Sequence, residues 1–339
     1  MIAPKPRLTQ PCPWMTAVRL ISALAAIGIV ALVLVRSDFG ELWRVVRGVD
    51  LYWLLPTVLL NLPILALATL RSFLVLRSLG RPLGPQILLS STVVGYVAGA
   101  LTPAASGELL RADALRRAGV PMDEGVALVV YERALSVALL ALSTAVLAAL
   151  IGLPLLWGLV VSGAALALAV AAWLAAVAVL PLLPGPAKLE GGGVARGAVR
   201  YLLRMAEQLR VLAADRALMA GWSLLTMALF ALAAAQFALL ARSVSGGLDL
   251  SEAWLAFGAS QLAGIASLLP LGLGVADGSL AAVLHRLGTT LEQGSVVAVL
   301  VRATITLPLV LVALACYLYL ARTSADGRRA GVEPQALRE

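Results

Sequence analysis

LTPAASGELLRADALRRAG, residues 101–119, breaks into two of the most apolar regions of a 339-residue chain with a Pro, two Gly, two carboxylates and three Arg. Its reading decides the fold, because the charges around it fix which way the chain can run. The chain is 61% hydrophobic and 13% charged, and charge-free runs cover 20–35, 51–70, 82–107, 134–187, 217–241, 253–276 and 303–321. A helix needs about 20 apolar residues to cross a bilayer core. The sequence therefore reads as an all-α polytopic membrane protein, with one integral membrane domain over 1–339 and no room for an ordinary soluble domain.

The net charge of +8 sits mostly in short connections between apolar runs. That distribution follows the positive-inside rule and does not point to nucleic acid. Cys12 and Cys316, with His285 as the lone histidine, make neither a disulfide framework nor a metal-ligand cluster, and they rule out most His-based catalysis. No metal or cofactor is expected, and the chain is not expected to be an enzyme. Lys5, Arg7 and Arg19 precede the first apolar run in the manner of a signal peptide. The run is followed by Arg36-Ser37-Asp38, without a small-residue cleavage pattern, so it reads as a span.

With the basic N-terminus in the cytoplasm, the first span (about 17–35) runs out and the second (about 51–70) returns to Arg71, Arg77 and Arg81. The run 134–187 is too long for one crossing and breaks at Gly152-Leu153-Pro154, the outer end of a two-span hairpin. That hairpin returns to the most basic connection, with Lys188, Arg196, Arg200, Arg204, Arg210 and Arg216. Arg196, Arg200 and Arg204, with Val199, Leu202, Leu203 and Leu209 on another face, read as an interfacial helix. The segment before the hairpin must start inside, yet the chain was already inside at Arg81. Residues 82–107 therefore enter and leave by one face, as a re-entrant element whose tip carries Pro103 and Gly107. In the second half, 217–241 runs out, and an apolar segment breaks at LLPLGLGVADG, with a tip at Pro270, Gly272 and Gly274. A final span of about 294–320 returns to Arg322, Arg328 and Arg329. The expected topology is about six spanning helices plus two re-entrant segments, with both termini cytoplasmic and 322–339 a short tail.

A shift of 169 positions overlays the two broken regions: Glu108 on Asp277, Leu115 on Leu284, Arg117 on Arg286, Gly119 on Gly288, Gly125 on Gly294 and Arg133 on Arg302. Matched Gly, Arg and acidic residues in one ungapped alignment mark an internal repeat, here about 17–150 and about 155–321. By charge the copies enter from opposite faces, an inverted-topology arrangement of the kind secondary transporters use.

Arg133 and Arg302 lie inside apolar spans, where an unpaired Arg costs about 2.5 kcal/mol or more. Each needs a carboxylate, a water-filled cavity or an anionic ligand. Glu132 precedes Arg133 but points about 100° away around the helix, so Glu108 and Asp277 are the expected partners. Two readings stay open. In one, Arg111, Arg133 and Arg302 bind an anion with the half-helix N-termini, while Glu108 and Asp277 hold the arginines or carry protons. In the other, Glu108–Arg133 and Asp277–Arg302 are structural ion pairs.

SGELLRADALRRAG with YERA, then LPLGLGVADGSL with VLVRA, resemble the membrane domain of lysylphosphatidylglycerol synthases and the free-standing flippase-like proteins built on it. The matching motifs are Gly107-Glu108 with Arg111, Glu132-Arg133, Pro270-x-Gly272-x-Gly274 with Asp277, and Arg302. Ala104-Ala105-Ser106 stands where the family often has a basic or Gly residue, and Asp277 where Glu is usual. Only about 18 residues follow the last span, so the synthases' aminoacyltransferase domain is expected to be absent. The resemblance implies lipid translocation without aminoacylation. The implied partners are membrane lipids of phospholipid, polyprenyl-phosphate or hopanoid type. The leading expectation is a flippase-like transporter of an amphipathic, phosphate-bearing lipid in a bacterial inner membrane, its site formed by Glu108, Arg111, Glu132, Arg133, Asp277 and Arg302. The alternatives are a non-transporting partner of a lipid-modifying enzyme and, further down, a membrane-embedded lipid-phosphate transferase.

Overall fold

The computed structural model describes residues 44–102, 107–151, 194–267 and 269–329, and these are helical with short connections. A 3₁₀ turn at Leu51–Trp53 leads into α1 (Leu54–Leu59) and α2 (Asn61–Ser78). Pro63 has no N–H to offer Leu59, and the helix breaks at Leu60 between them. The first hairpin is α3 (Pro85–Leu101) and α4 (Leu109–Arg117), followed by the long α5 (Met122–Leu150). Next come α6 (Val194–Ala214) and α7 (Arg216–Ser245), which starts at an Asp215 cap. The second hairpin is α8 (Leu250–Ala266) and α9 (Val275–Arg286). A last span is built from α10 (Leu291–Val301), a π turn (Arg302–Thr306) and α11 (Leu307–Arg329).

Among the described residues four helical stretches are long and apolar enough to cross a membrane: Leu51–Ser78, Met122–Leu150, Arg216–Val244 and Leu291–Arg322. The protein is an all-α polytopic membrane protein. The expected first span, Pro103 and the Gly152–Pro154 hairpin with its returning arm lie outside the described residues. The last helix continues to Arg329, so the start of the expected tail is helical. In α6 the buried stripe is Leu203, Ala206, Leu209 and Leu212, whereas Leu202, expected on the apolar face, is exposed. It lies one residue, about 100°, off that stripe.

The segments expected to be re-entrant are helical hairpins. Gly95 faces Arg111 and Gly99 faces Glu108, so α3 and α4 run antiparallel. In the second hairpin α8 packs on α9 and the tip, Gly264 facing Ala276 and Gly272. At about 1.5 Å per residue, α3 is roughly 26 Å long, just short of a bilayer core of about 30 Å.

The two halves interlock. Trp53 meets Arg242, Thr57 meets Gln236, and Arg71 meets Trp222 and Thr226, so the equivalent spans α1–α2 and α7 pack antiparallel. Each hairpin's first helix packs on the long span of the other half. Gln86 of α3 accepts from Tyr319 of α11 at 3.1 Å, and Trp254 of α8 donates to Ser143 of α5 at 3.2 Å. The core has two main clusters, one around Phe230, Phe237 and Phe257, the other around Leu76, Leu128, Tyr131 and Trp222. The exposed Leu311, Leu314 and Leu318 of α11 form an apolar outer surface suited to lipid.

Candidate functional site

The first hairpin closes because its tip residues lack bulk. A Cβ on Gly95 would run into the Arg111 side chain, one on Gly99 into Glu108, and one on Gly107 into the Ala98 carbonyl. The Thr102 hydroxyl accepts the Gly107 N–H at 2.6 Å and donates to Ala98 O at 2.8 Å, pinning the turn. This close approach aims Glu108 and Arg111 into the bundle from the start of α4.

Glu108 forms an ion pair with Arg133 of α5. One layer further in, Arg111 donates from Nη1 to Glu132 Oε2 at 2.6 Å and from Nη2 to Ser72 Oγ at 2.6 Å. Ser72 Oγ also lies 3.0 Å from Glu132 Oε1, so the three side chains form a closed triangle. Arg111 and Glu132 are both buried, at 7% exposure each. Arg111 is thus held inside the protein by a carboxylate and a hydroxyl.

Beside this triangle lies Arg71 of α2, which sequence reasoning missed. Its Nη1 donates to Thr226 Oγ1 at 3.0 Å, and its Cζ stands 4.8 Å over the Trp222 ring. Its Nε is buried without a partner, and among the described residues no carboxylate lies within 4.0 Å of it. The positive-inside rule groups Arg71 with the interfacial Arg77 and Arg81. The available signal was depth: six residues before Arg77 is nearly two turns, about 9 Å, further into the bilayer.

The second hairpin repeats the outer ion pair in another setting. Arg302 donates from Nε to Asp277 Oδ1 at 3.0 Å and from Nη2 to Asp277 Oδ2 at 3.1 Å, the two-pronged geometry that suits a guanidinium. The same Nη2 donates to the carbonyl of Leu271 at 3.0 Å, and Asp277 Oδ2 accepts the Gly274 N–H at 3.1 Å. The N-terminus of α9 is therefore capped by the protein's own carboxylate. Pro270 opens the tip, Leu271 sits in the left-handed region at φ 56°, and Gly272 and Gly274 follow at φ 59° and 78°. Arg302 begins the π turn. Pro308 leaves Thr304 O without its helical donor, and Asn61 of α2 supplies one at 3.0 Å.

The expected residues thus fall into two groups. Glu108, Arg111, Glu132 and Arg133 meet in the first, with Gly107 at the tip, and Asp277 and Arg302 meet in the second, below Pro270, Gly272 and Gly274. The outer pairs remain partly open, the side chains of Arg133, Arg302 and Asp277 being 36%, 27% and 29% exposed. The turn at Pro270–Gly272 packs against α3, which brings the second tip to the first hairpin. Arg133 and Arg302 each stand eleven residues, about 17 Å along the axis, from the start of their long spans.

The family model described as lysylphosphatidylglycerol synthase TM region matches residues 19–313. No curated protein matches the chain.

Proposed function

The chain belongs to the lysylphosphatidylglycerol synthase TM region family, and from that premise we propose that it moves an amphipathic anionic lipid between the leaflets of a bacterial inner membrane without altering it covalently. The observation that carries this reading is the pair of partly open intramembrane ion pairs, Glu108–Arg133 and Asp277–Arg302, at equivalent places on two hairpins. Charge at this depth costs about 2.5–3.5 kcal/mol per residue on insertion scales. A permanently sealed pair would serve packing alone, whereas an open one can part as its hairpin moves, and at Arg133 it lets a lipid phosphate take the place of the Glu108 carboxylate while the lipid tails stay in hydrocarbon. Antiparallel packing of α1–α2 on α7 supports access from opposite sides, with the basic connections and both termini cytoplasmic.

The test is reconstitution in liposomes with fluorescent phospholipid, prenyl phosphate and neutral lipid, following leaflet exposure by dithionite quenching. The expected result is headgroup-dependent movement that disappears in folded Arg133→Ala and Arg302→Ala. Movement that ignores both substitutions, or no movement of any lipid, overturns the reading and favours a structural partner of a lipid-modifying enzyme.

A further inference from the structure

The two hairpin sites differ in charge. Around the first, Arg71, Arg111 and Arg133 face Glu108 and Glu132, leaving one positive charge uncompensated, while Arg302 and Asp277 in the second cancel. The uncompensated charge belongs to Arg71. Arg111 is bonded to Glu132 and Ser72, and Arg133 is paired with Glu108, but Arg71 has only a neutral hydroxyl and an indole face; its Nε, like that of Arg111, is buried without a partner. On α3, half-exposed Tyr96 follows Gly95, the residue against which the Arg111 side chain packs.

The 169-residue offset sharpens the contrast. Trp222 and Thr226, the supports of Arg71, have counterparts in Trp53 and Thr57, and both threonines donate to the carbonyl four residues back at 2.9 Å. The charged layer itself has none. Arg71, Ser72, Arg111 and Glu132 correspond to Leu240, Ala241, Leu280 and Val301. An apolar layer therefore suffices to pack this position, and the polar version in the first half is not a requirement of the scaffold.

We infer that the first half holds a binding site for a singly charged oxyanion, with Arg71 as its unassigned principal ligand beside Arg133, and that Asp277–Arg302 is a neutral latch and not a second anion site. The inference rests on the transport reading only for the source of the anion, a lipid headgroup. One negative charge brings the cluster to neutrality. A doubly charged monoester leaves a net negative charge against Glu108 and Glu132, and a lipid without phosphate leaves Arg71 unmatched.

The experiment is equilibrium binding to the purified full chain in nanodiscs, read by native mass spectrometry. The probes are phosphatidylglycerol, phosphatidic acid at a pH where it is doubly charged, and diacylglycerol, with tail-less glycerophosphoglycerol as competitor. Phosphatidylglycerol is expected to bind best. Arg71→Gln should weaken it about tenfold, the size of one lost charge-assisted hydrogen bond, and Arg71→Lys by less. Arg302→Gln should leave binding within about twofold. Tighter binding of the doubly charged lipid, unchanged binding in Arg71→Gln, or an equal loss in Arg302→Gln overturns the inference. Displacement by the tail-less headgroup at matched concentration overturns the lipid source. Arg71-dependent binding with no leaflet exchange sinks the transport reading and leaves this site standing. Exchange that depends on headgroup charge and on Arg133 but is indifferent to Arg71 does the reverse.

Discussion

The two hairpins share a frame and differ in what fills it. Gly125 and Gly294 bring α5 and α10 against Ala112 and Ala281 of the preceding short helices, again 169 residues apart. Gly119 and Gly288 end those helices at φ 96° and 101°, and an acid–arginine pair joins each to its long span. Behind that shared frame one half has a charged triangle beside an arginine that has no carboxylate within 4.0 Å among the described residues, and the other has Leu240, Ala241, Leu280 and Val301. The layer present once is where a task particular to the first half is to be sought.

The strongest way to break this comparison is to unbalance the charged layer. Glu132→Ala leaves Arg111 buried beside Arg71 with no carboxylate, a loss of about 3–5 kcal/mol for a broken buried pair. Copying the second half into the first with Arg71→Leu, Ser72→Ala, Arg111→Leu and Glu132→Val should instead leave stability equal or raise it by about 1–4 kcal/mol. Thermal unfolding in detergent separates the two outcomes. A quadruple variant as unstable as Glu132→Ala would mean that the layer is structural after all.

Much of this frame was legible in the sequence, because glycine, proline and charge are scarce in apolar helices and each is costly unless used. The hairpins follow from Pro103, Gly107, Pro270, Gly272 and Gly274 together with the positive-inside rule, and the pairing of Glu108 with Arg133 and Asp277 with Arg302 follows from the need of an intramembrane arginine for a carboxylate once Glu132 turns away. The inner layer was not legible. Glu132 was seen to turn away from Arg133, but its partners Arg111 and Ser72 come from two other helices, and one-dimensional spacing does not encode that meeting. The Asn61 bond to Thr304 O was hidden for the same reason, although Pro308 announced a carbonyl in need of a donor.

A subtler test uses equivalent glycines expected to respond with opposite sign. A Cβ on Gly294 would stand 2.9 Å from Ala281 Cα and 3.0 Å from its carbonyl oxygen, so backbone must move. Overpacking of that kind costs about 1–3 kcal/mol, against about 1 kcal/mol gained from Ala over Gly in a helix. At Gly125 the nearest atom, Ala112 Cα, is 3.4 Å away, so Gly125→Ala should keep the helical gain and melt higher. Equal shifts for the two would show that the halves pack more alike than these distances say.

The tips give a smaller effect. Thr102 is extended at φ −116° and bonds the Gly107 N–H, whereas its counterpart Leu271 is left-handed and accepts from Arg302 through its carbonyl. A left-handed L-residue costs roughly 1–2 kcal/mol. Leu271→Gly should recover about 1 kcal/mol of that, seen as a higher melting temperature, and Thr102→Gly should gain nothing. A lower melting temperature for Leu271→Gly would show that the leucine side chain outweighs the strain.

The smallest expected effect lies at the basic end of α4. Burial by itself would push the Asp113 carboxyl up, but hydrogen bonds and charge from Arg116 and Arg117 outweigh it and hold the group below the usual carboxylate range. Arg116 bonds Asp113 Oδ1 at 2.9 Å and Arg117 bonds Oδ2 at 2.8 Å, while the counterpart in the second half is Ala282. Because the folded carboxyl is the stronger acid, its contribution is complete above the unfolded value of about 3.9 and fades as pH falls through the folded one. The arginines are about half exposed, with side-chain values of 55% and 53%, so solvent screens the pairs. Asp113→Ala, which makes this helix end resemble the second half, should cost no more than about 1 kcal/mol at neutral pH. The difference from wild type should shrink toward zero in acid and in molar salt, where screening lengths fall to about 3 Å. A difference that grew on acidification would mean that Asp113 is stabilised by something other than these two arginines.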